Sequence, residues 1–214
     1  MGNTKNQINY LYFKYFLDKL VAFFSLIILS PLLIFISLIL IFTQGRQFIF
    51  SQRRPGYKTK IFNIYKFKTM NNLKDNNGIL LSDIDRITII GNILRKTSLD
   101  ELPSLVNILK GEMSFVGPRP LLVEYLKEYT PFEMQRHNLK PGLTGLAQSK
   151  GRNNSSWEKR LYLDVCYVEN VSLLLDLKII FNTIWKVISI DGVNHSANTT
   201  MPLLSRKLDD PKIK

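Results

Sequence analysis

The chain has 214 residues, 45% of them hydrophobic, with a formal net charge of +12 and an isoelectric point near 9.8. That is enough apolar content for one domain with a real core and too much for a disordered chain. The excess of cations points to an anionic partner: nucleic acid, a phospholipid surface or a phosphate-rich substrate. A single cysteine, Cys166, excludes an internal disulfide, and with only His137 and His195 as histidines no zinc-type cluster can form. No P-loop and no Gly-x-Gly-x-x-Gly is present, and Asn6 stands where a myristoylation signal requires Ser or Thr.

Residues 1–19 are polar and aromatic, with Lys5, Lys14 and Lys19. Leu20 to Phe42 is almost wholly apolar and long enough to cross a bilayer core, and it lacks a signal-peptide cleavage site. Ser30-Pro31 interrupts it at the middle, where proline removes a helix hydrogen bond and bends the axis. Both flanks are basic: Lys14 and Lys19 before, then Arg46, Arg53 and Arg54 after. Positive charge stays cytoplasmic, so both ends on one side would make the segment re-entrant, with the Ser30 hydroxyl offsetting the freed backbone groups. A single-pass anchor with a proline kink fits the same residues.

Residues 47–70 predict two short strands around a Pro55-Gly56 turn. Alternation puts Lys66 and Lys68 on one face and Tyr65 and Phe67 on the other; such lysines are usually just solvated, though they can also meet a phosphate. Asp83-Ile84-Asp85 is an acid-x-acid triplet, a minor metal candidate because it precedes a helical pattern rather than ending a strand. The run from Leu94 to Pro120 holds the main candidates. Asp100 and Glu101 are adjacent acids that open an apolar helical pattern. Ser98 stands three residues before Glu101, the capping-box spacing, which predicts a helix start and by itself needs no further function. Arg95 and Lys96 precede the acids, and Arg119 follows between Pro118 and Pro120. Two acids among cations at a helix start suit phosphoryl transfer with a divalent metal.

Leu121–Tyr129 and Phe132–Asn138 read as short helices. Pro141 to Gln148 is turn-rich, and its glycines are expected to let backbone approach a ligand closely. Arg152, after Gly151, either forks onto a phosphate or lies on the surface. Trp157–Glu169 and Leu173–Ile190 read as amphipathic helices, the second either core or a membrane-surface helix with Lys178 and Lys186 at the headgroups. The tail from Ser196 is polar, and no internal repeat is present.

These blocks together resemble the bacterial sugar transferases, in particular the small monotopic phosphoglycosyl transferases of the PglC type. The resemblance rests on the Ser30-Pro31 segment, Gln52-Arg53-Arg54-Pro55-Gly56, Ile64 to Met70, Ser98-Leu99-Asp100-Glu101-Leu102, Leu109 to Leu121, Lys140 to Gln148, Gly151-Arg152-Asn153 and Leu163-Asp164-Val165. The tail from Asn194 to Thr200 follows the family's ending only loosely. The resemblance implies a mixed, mostly helical α/β catalytic domain over residues 46–195. Before it comes a re-entrant helix-kink-helix over 1–45, and after it a polar tail over 196–214. It implies a monotopic enzyme on the cytoplasmic face of the bacterial inner membrane. The reaction implied is transfer of a sugar-1-phosphate from a UDP-sugar to undecaprenyl phosphate, with release of UMP. By family pattern Asp100 is the nucleophile, and Glu101 with Asp100 holds Mg²⁺. Lys66, Arg95, Arg119 and Arg152 match positions around the phosphates. The leading donor is an N-acetylated amino sugar such as UDP-di-N-acetylbacillosamine, with UDP-galactose and UDP-N-acetylgalactosamine as alternatives. Membrane phospholipids are expected partners, nucleic acid is not, and a homodimer is left open. The rival class is a non-catalytic basic membrane adaptor, which gives no reason for Asp100-Glu101 beside Pro118-Arg119-Pro120.

Overall fold

The computed structural model of the chain describes residues 5–150, 156–189 and Leu204. It opens with two helices, α1 (Lys5–Ile28) and α2 (Ser30–Gln44), which meet at 63°. The bend is where the sequence puts it. Pro31 has no N–H for the Ile27 carbonyl, and the Ser30 hydroxyl donates to that carbonyl at 2.7 Å instead. At about 1.5 Å per residue α2 is some 22 Å long, short of a bilayer core of about 30 Å. No single described helix is long and apolar enough to cross a membrane.

The first half of α1 is not a polar leader. Lys14 and Asp18 are buried. Lys14 pairs with Asp176 at 2.5 Å, and Asp176 also accepts from the hydroxyls of Tyr10 and Tyr167. Asp18 accepts from Ser114 at 2.6 Å. Lys14, expected as a flanking charge that reports orientation, is therefore a structural ion pair. Only Lys19 keeps that role on this side.

Next comes an antiparallel ribbon, β1 (Ile49–Pro55) and β2 (Ile61–Phe67), with Phe50 opposite Lys66, Gln52 opposite Ile64 and Arg54 opposite Phe62. Opposite residues share a face. The two faces bury different things. Ile64 packs with Ala22, Leu105, Ile108 and Met113, while Phe67 packs with Ile36, Leu40 and Leu94. Lys66 lies on the Ile64 face, so it points along a buried surface rather than into open solvent.

The chain then passes through α3 (Asp83–Arg86) and α4 (Ile89–Lys96), a 3-10 turn over Leu99–Ser104, α5 (Leu105–Lys110) and β3 (Ser114–Val116). A Cβ on Gly91 would stand 2.0 Å from the Thr69 carbonyl oxygen, so only glycine lets α4 lie this close to the end of the ribbon. Val123–Glu128 forms a 3-10 turn, followed by α6 (Pro131–Met134) and a 3-10 turn over Gln135–Asn138. β4 (Gly142–Thr144) pairs in parallel with β3. The chain continues through α7 (Leu146–Lys150), α8 (Trp157–Glu169) and α9 (Leu173–Ser189). The mostly helical reading with small sheets holds, although the sheets are two separate pairs of strands.

The free edge of β2 is closed by side chains. The Asn107 amide accepts from the Tyr65 N–H and donates to the Asn63 carbonyl, and the Ser104 hydroxyl donates to the Tyr65 carbonyl. Both side chains are fully buried. An asparagine thus stands in for a third strand and clamps the 99–104 turn against Lys66. We expect Asn107→Ala to leave the Tyr65 N–H and the Asn63 carbonyl without partners and to cost at least about 2 kcal/mol. A thermal melt in detergent measures it, and a melting point equal to wild type would rule out the clamp.

Candidate active site

One cleft of about 1280 Å³ collects the sequence candidates: Lys66, Arg95, Asp100, Glu101 and Arg119 all line it. Arg152 lies outside the described residues. Lys66 comes from β2 and Arg95 from the last turn of α4, where its Nε donates to the Thr69 hydroxyl at 2.9 Å. Asp100 and Glu101 lie in the 3-10 turn, and Arg119 in the loop after β3.

The turn is built differently from the expected capping box. Ser98 adopts the left-handed region (φ 56°) and its side chain caps nothing. This reverses the chain between α4 and the turn, a conformation that costs a non-glycine residue energy. The Glu101 carboxylate consequently faces away from Ser98. Its Oε1 accepts from Lys66 Nζ at 2.5 Å and from Arg119 Nη2 at 3.2 Å. Among the described residues the Asp100 carboxylate accepts no such bond. Two neighbouring acids therefore differ in kind. Burial alone would raise Glu101, but Arg119 and Lys66 outweigh it and hold the carboxyl at about 2. Asp100 is pushed up to about 6, first by burial and then by the charge of Glu101, against the pull of Lys66, Arg95 and Arg119.

Arg119 is itself positioned by a residue that sequence reading passed over. Arg136 is 2% exposed and donates to the Arg119 carbonyl at 2.6 Å. Its guanidinium also contacts Asp164 at 2.6 and 3.2 Å and the Tyr129 hydroxyl at 3.3 Å. The available signal was weak: an arginine in a short helix reads as surface until its neighbours are known. Arg54 and Gln52 also line the cleft and were likewise missed. The Asp83 triplet is no metal site on this geometry. Asp85 accepts from Ser82, and Asp83 pairs with Arg86 at 3.7 Å. Burial and Arg136 hold His137 down at about 4, so it is neutral near pH 7, and its Nδ1–H donates to the Gly56 carbonyl.

The glycines after Pro141 are required by backbone packing, and Gly142 also lines the cleft. A Cβ on Gly142 would stand 2.1 Å from the Gly117 nitrogen. On α9, Lys178 is exposed, whereas Lys186 donates to the Gln148 carbonyl at 3.2 Å.

The raised Asp100 carboxyl has a stability consequence. Its contribution is fully present below its ordinary value of 3.8 and is lost as pH rises through about 6. Asp100→Asn cannot ionise. In metal-free buffer it should melt above wild type at pH 7.5, by at most about 3 kcal/mol, with the gap closing toward pH 4. A gap that widens on acidification would reverse the assignment of burial as the dominant influence.

The bacterial sugar transferase family profile matches residues 9–190. The chain is 46% identical to the uncharacterized sugar transferase EpsL of Bacillus subtilis over 183 residues, covering 86% of this chain and 91% of that protein. It is 40% identical to a UDP-glucose:undecaprenyl-phosphate glucose-1-phosphate transferase of Klebsiella pneumoniae, over 85% of this chain and 41% of that protein. It is 38% identical to the undecaprenyl-phosphate galactose phosphotransferase of Salmonella typhimurium, over 82% of this chain and 40% of that protein. The last two relatives are thus more than twice as long as the part they share with it. With a match this long and relatives this similar, the chain belongs to the bacterial sugar transferase family.

Proposed function

We propose that this chain is a polyprenyl-phosphate phosphoglycosyl transferase: it moves a sugar-1-phosphate from a UDP-sugar to undecaprenyl phosphate and releases UMP. The observation that carries the reading is the pair of unlike carboxylates. Glu101 is held ionised by Lys66 and Arg119, and Asp100 stands beside it with no hydrogen bond among the described residues. Relatives named for transfer of glucose-1-phosphate or galactose phosphate to undecaprenyl phosphate support the substrate class.

Asp100 is the nucleophile. One carboxylate oxygen attacks the sugar-side phosphorus of the diphosphate, the bond to the bridging oxygen breaks, and UMP leaves. The acceptor phosphate then attacks the same phosphorus and frees Asp100, giving the lipid-linked diphosphate sugar. Splitting one transfer into two steps is what a covalent nucleophile achieves. Lys66, Arg95 and Arg119 stabilise charge on the phosphate oxygens as it spreads.

The donor set also fits Mg²⁺. No group of three or more metal-ligating side chains occurs among the described residues. Two adjacent carboxylates that leave the remaining positions to phosphates and water are the kind of site this ion uses. Asp100 and Glu101 would hold it, and when bound it screens the repulsion between carboxylate and diphosphate.

The bent helices support the membrane arrangement. A 63° bend, an α2 too short to cross, and cations at Lys19 and Arg46 on either side favour a re-entrant, monotopic segment on the cytoplasmic face. Exposed Leu174, Phe181 and Trp185 on α9 suit the headgroup boundary. The activities for which those relatives are named favour glucose and galactose donors. UDP-di-N-acetylbacillosamine rests on the resemblance to the PglC type alone.

We expect UMP release from one member of a panel of UDP-glucose, UDP-galactose, UDP-N-acetylgalactosamine and UDP-di-N-acetylbacillosamine, with undecaprenyl phosphate and Mg²⁺. Asp100→Asn should lower it by about a thousandfold or more, and EDTA should abolish it. Near-full turnover by Asp100→Asn would remove the nucleophile assignment. Salt-sensitive nucleic-acid binding without UMP release would favour the adaptor.

A further inference from the structure

The ribbon carries a cation that the mechanism above does not use. Arg54 shares a face with Gln52, Ile64 and Lys66. It stands four residues along β1 from Phe50, the residue opposite Lys66, or about 13 Å at strand spacing. Arg119 acts on both ends of this row. It donates to Glu101, Lys66's partner, and its charge also opposes that of Arg54. The Arg54 side chain is half-buried. Its Nη2 donates to Gln52 Oε1 at 2.5 Å, and its Nε is buried without a hydrogen-bond partner among the described residues. No carboxylate pairs with it among the described residues. Glu124, Tyr125 and Tyr129 act on it at longer range. A desolvated guanidinium beside a second one, with an N–H unsatisfied, is complementary to a planar or tetrahedral oxyanion.

The ribbon also says which oxyanion. One end is rooted in the membrane helices: Phe48 and Phe67 pack against Ile36 and Leu40 of α2, and Gln44 donates to the Lys68 carbonyl. Arg54 is at the other end, beside Pro55 and the Gly56 carbonyl that His137 holds. A lipid phosphate stays at the headgroups, near Lys66 and Lys68, whereas a nucleotide arrives from water.

We propose that Arg54, held by Gln52, binds the nucleotide-side phosphate of the UDP-sugar and of the departing UMP. The proposal rests on the transferase reading and fixes the direction in which the donor lies: sugar-side phosphorus at Asp100, nucleotide along the ribbon toward the hairpin end. The chemistry shared with the alternative is a phosphate, and the lipid acceptor is the other source of one.

The test uses the full chain in detergent with Arg54→Met, Arg54→Lys and Gln52→Ala. Arg54→Met should raise the KM for the UDP-sugar and the inhibition constant of UMP by about 10- to 100-fold, the loss of one charge-assisted bond. Inhibition by uridine and the KM for undecaprenyl phosphate should stay within about twofold, since neither depends on that bond. Arg54→Lys should recover part of the loss, and Gln52→Ala should give a smaller change in the same direction. Unchanged UMP inhibition would overturn the proposal. So would equal weakening of UMP and uridine, which marks general damage, or a raised KM for the lipid, which assigns Arg54 to the acceptor. UMP protection against thermal unfolding, compared between wild type and the variants, scores Arg54 without turnover. A wild type that releases no UMP from any donor counts against the transferase reading, while the protection measurement still decides this one.

Discussion

The Glu101 carboxylate is the knot of the molecule. One oxygen brings Lys66, Arg119 and the 99–104 turn together, three segments that come from different parts of the chain. Such a half-buried charge cluster is worth having only if its members are already in place, because ordering long cationic side chains costs entropy. The surroundings do that ordering. Lys66 leaves a strand whose edge is closed by Asn107 and Ser104. The Arg119 backbone is gripped by Arg136, whose own charge is matched by Asp164 in a fully buried pair. Asp164 keeps one oxygen buried without a partner among the described residues. By stability alone such a pair is a poor investment, so positioning Arg119 is the better account of it.

The same cluster separates two chemically similar residues. Asp100 and Glu101 are neighbours in sequence, yet one is held at about 2 and the other pushed to about 6. Direct bonds from Lys66 and Arg119 go to Glu101. Asp100 feels those cations only at longer range, together with the negative charge of its neighbour. The pair thus supplies one fixed anion and one more basic oxygen with no protein donor attached. In a transfer between phosphates those are different tasks. Under the transferase reading the bond-making one falls to Asp100, whose carboxylate accepts no protein hydrogen bond among the described residues.

Local rules carried the sequence reading a long way. The Ser30-Pro31 bend, the alternating ribbon and the long α8 and α9 all follow from proline geometry and hydrophobic period, which neighbours in the chain decide. The acid pair and Arg119 were visible as residue types. What was not visible depended on contacts distant in sequence. Lys14 read as a flanking charge because its partner Asp176 is 162 positions away. Ser98 read as a cap because a left-handed backbone angle leaves no trace in a Ser-x-x-Glu spacing. The close approach of Gly142 and Gly145 to Gly117 was not visible behind the expected ligand contact, since a backbone that must pass another backbone and one that must pass a substrate both demand the missing Cβ. Arg54 read only as a flanking charge and a motif residue, and Arg136 was passed over, for the opposite reason: arginine is usually on the surface, and only the fold buries it.

The remaining constraint is the boundary between oil and water. Under the transferase reading, an acceptor anchored in the bilayer and a donor dissolved in water can react only where the protein fixes their phosphates relative to that boundary. Two sets of contacts provide the fixing. α1 is stapled to the catalytic core through Lys14–Asp176, Tyr10–Asp176 and Asp18–Ser114. The ribbon grows directly out of α2 and turns its cation-bearing face to the acids. The bent helices are therefore joined by direct contacts to the ribbon that bears Lys66 and, through Ser114 at the start of β3, to the strand that leads to Arg119. The bent helices and the cations around Glu101 thus form one frame. That is why polar, buried bonds are found on a helix whose composition alone suggests only a membrane anchor.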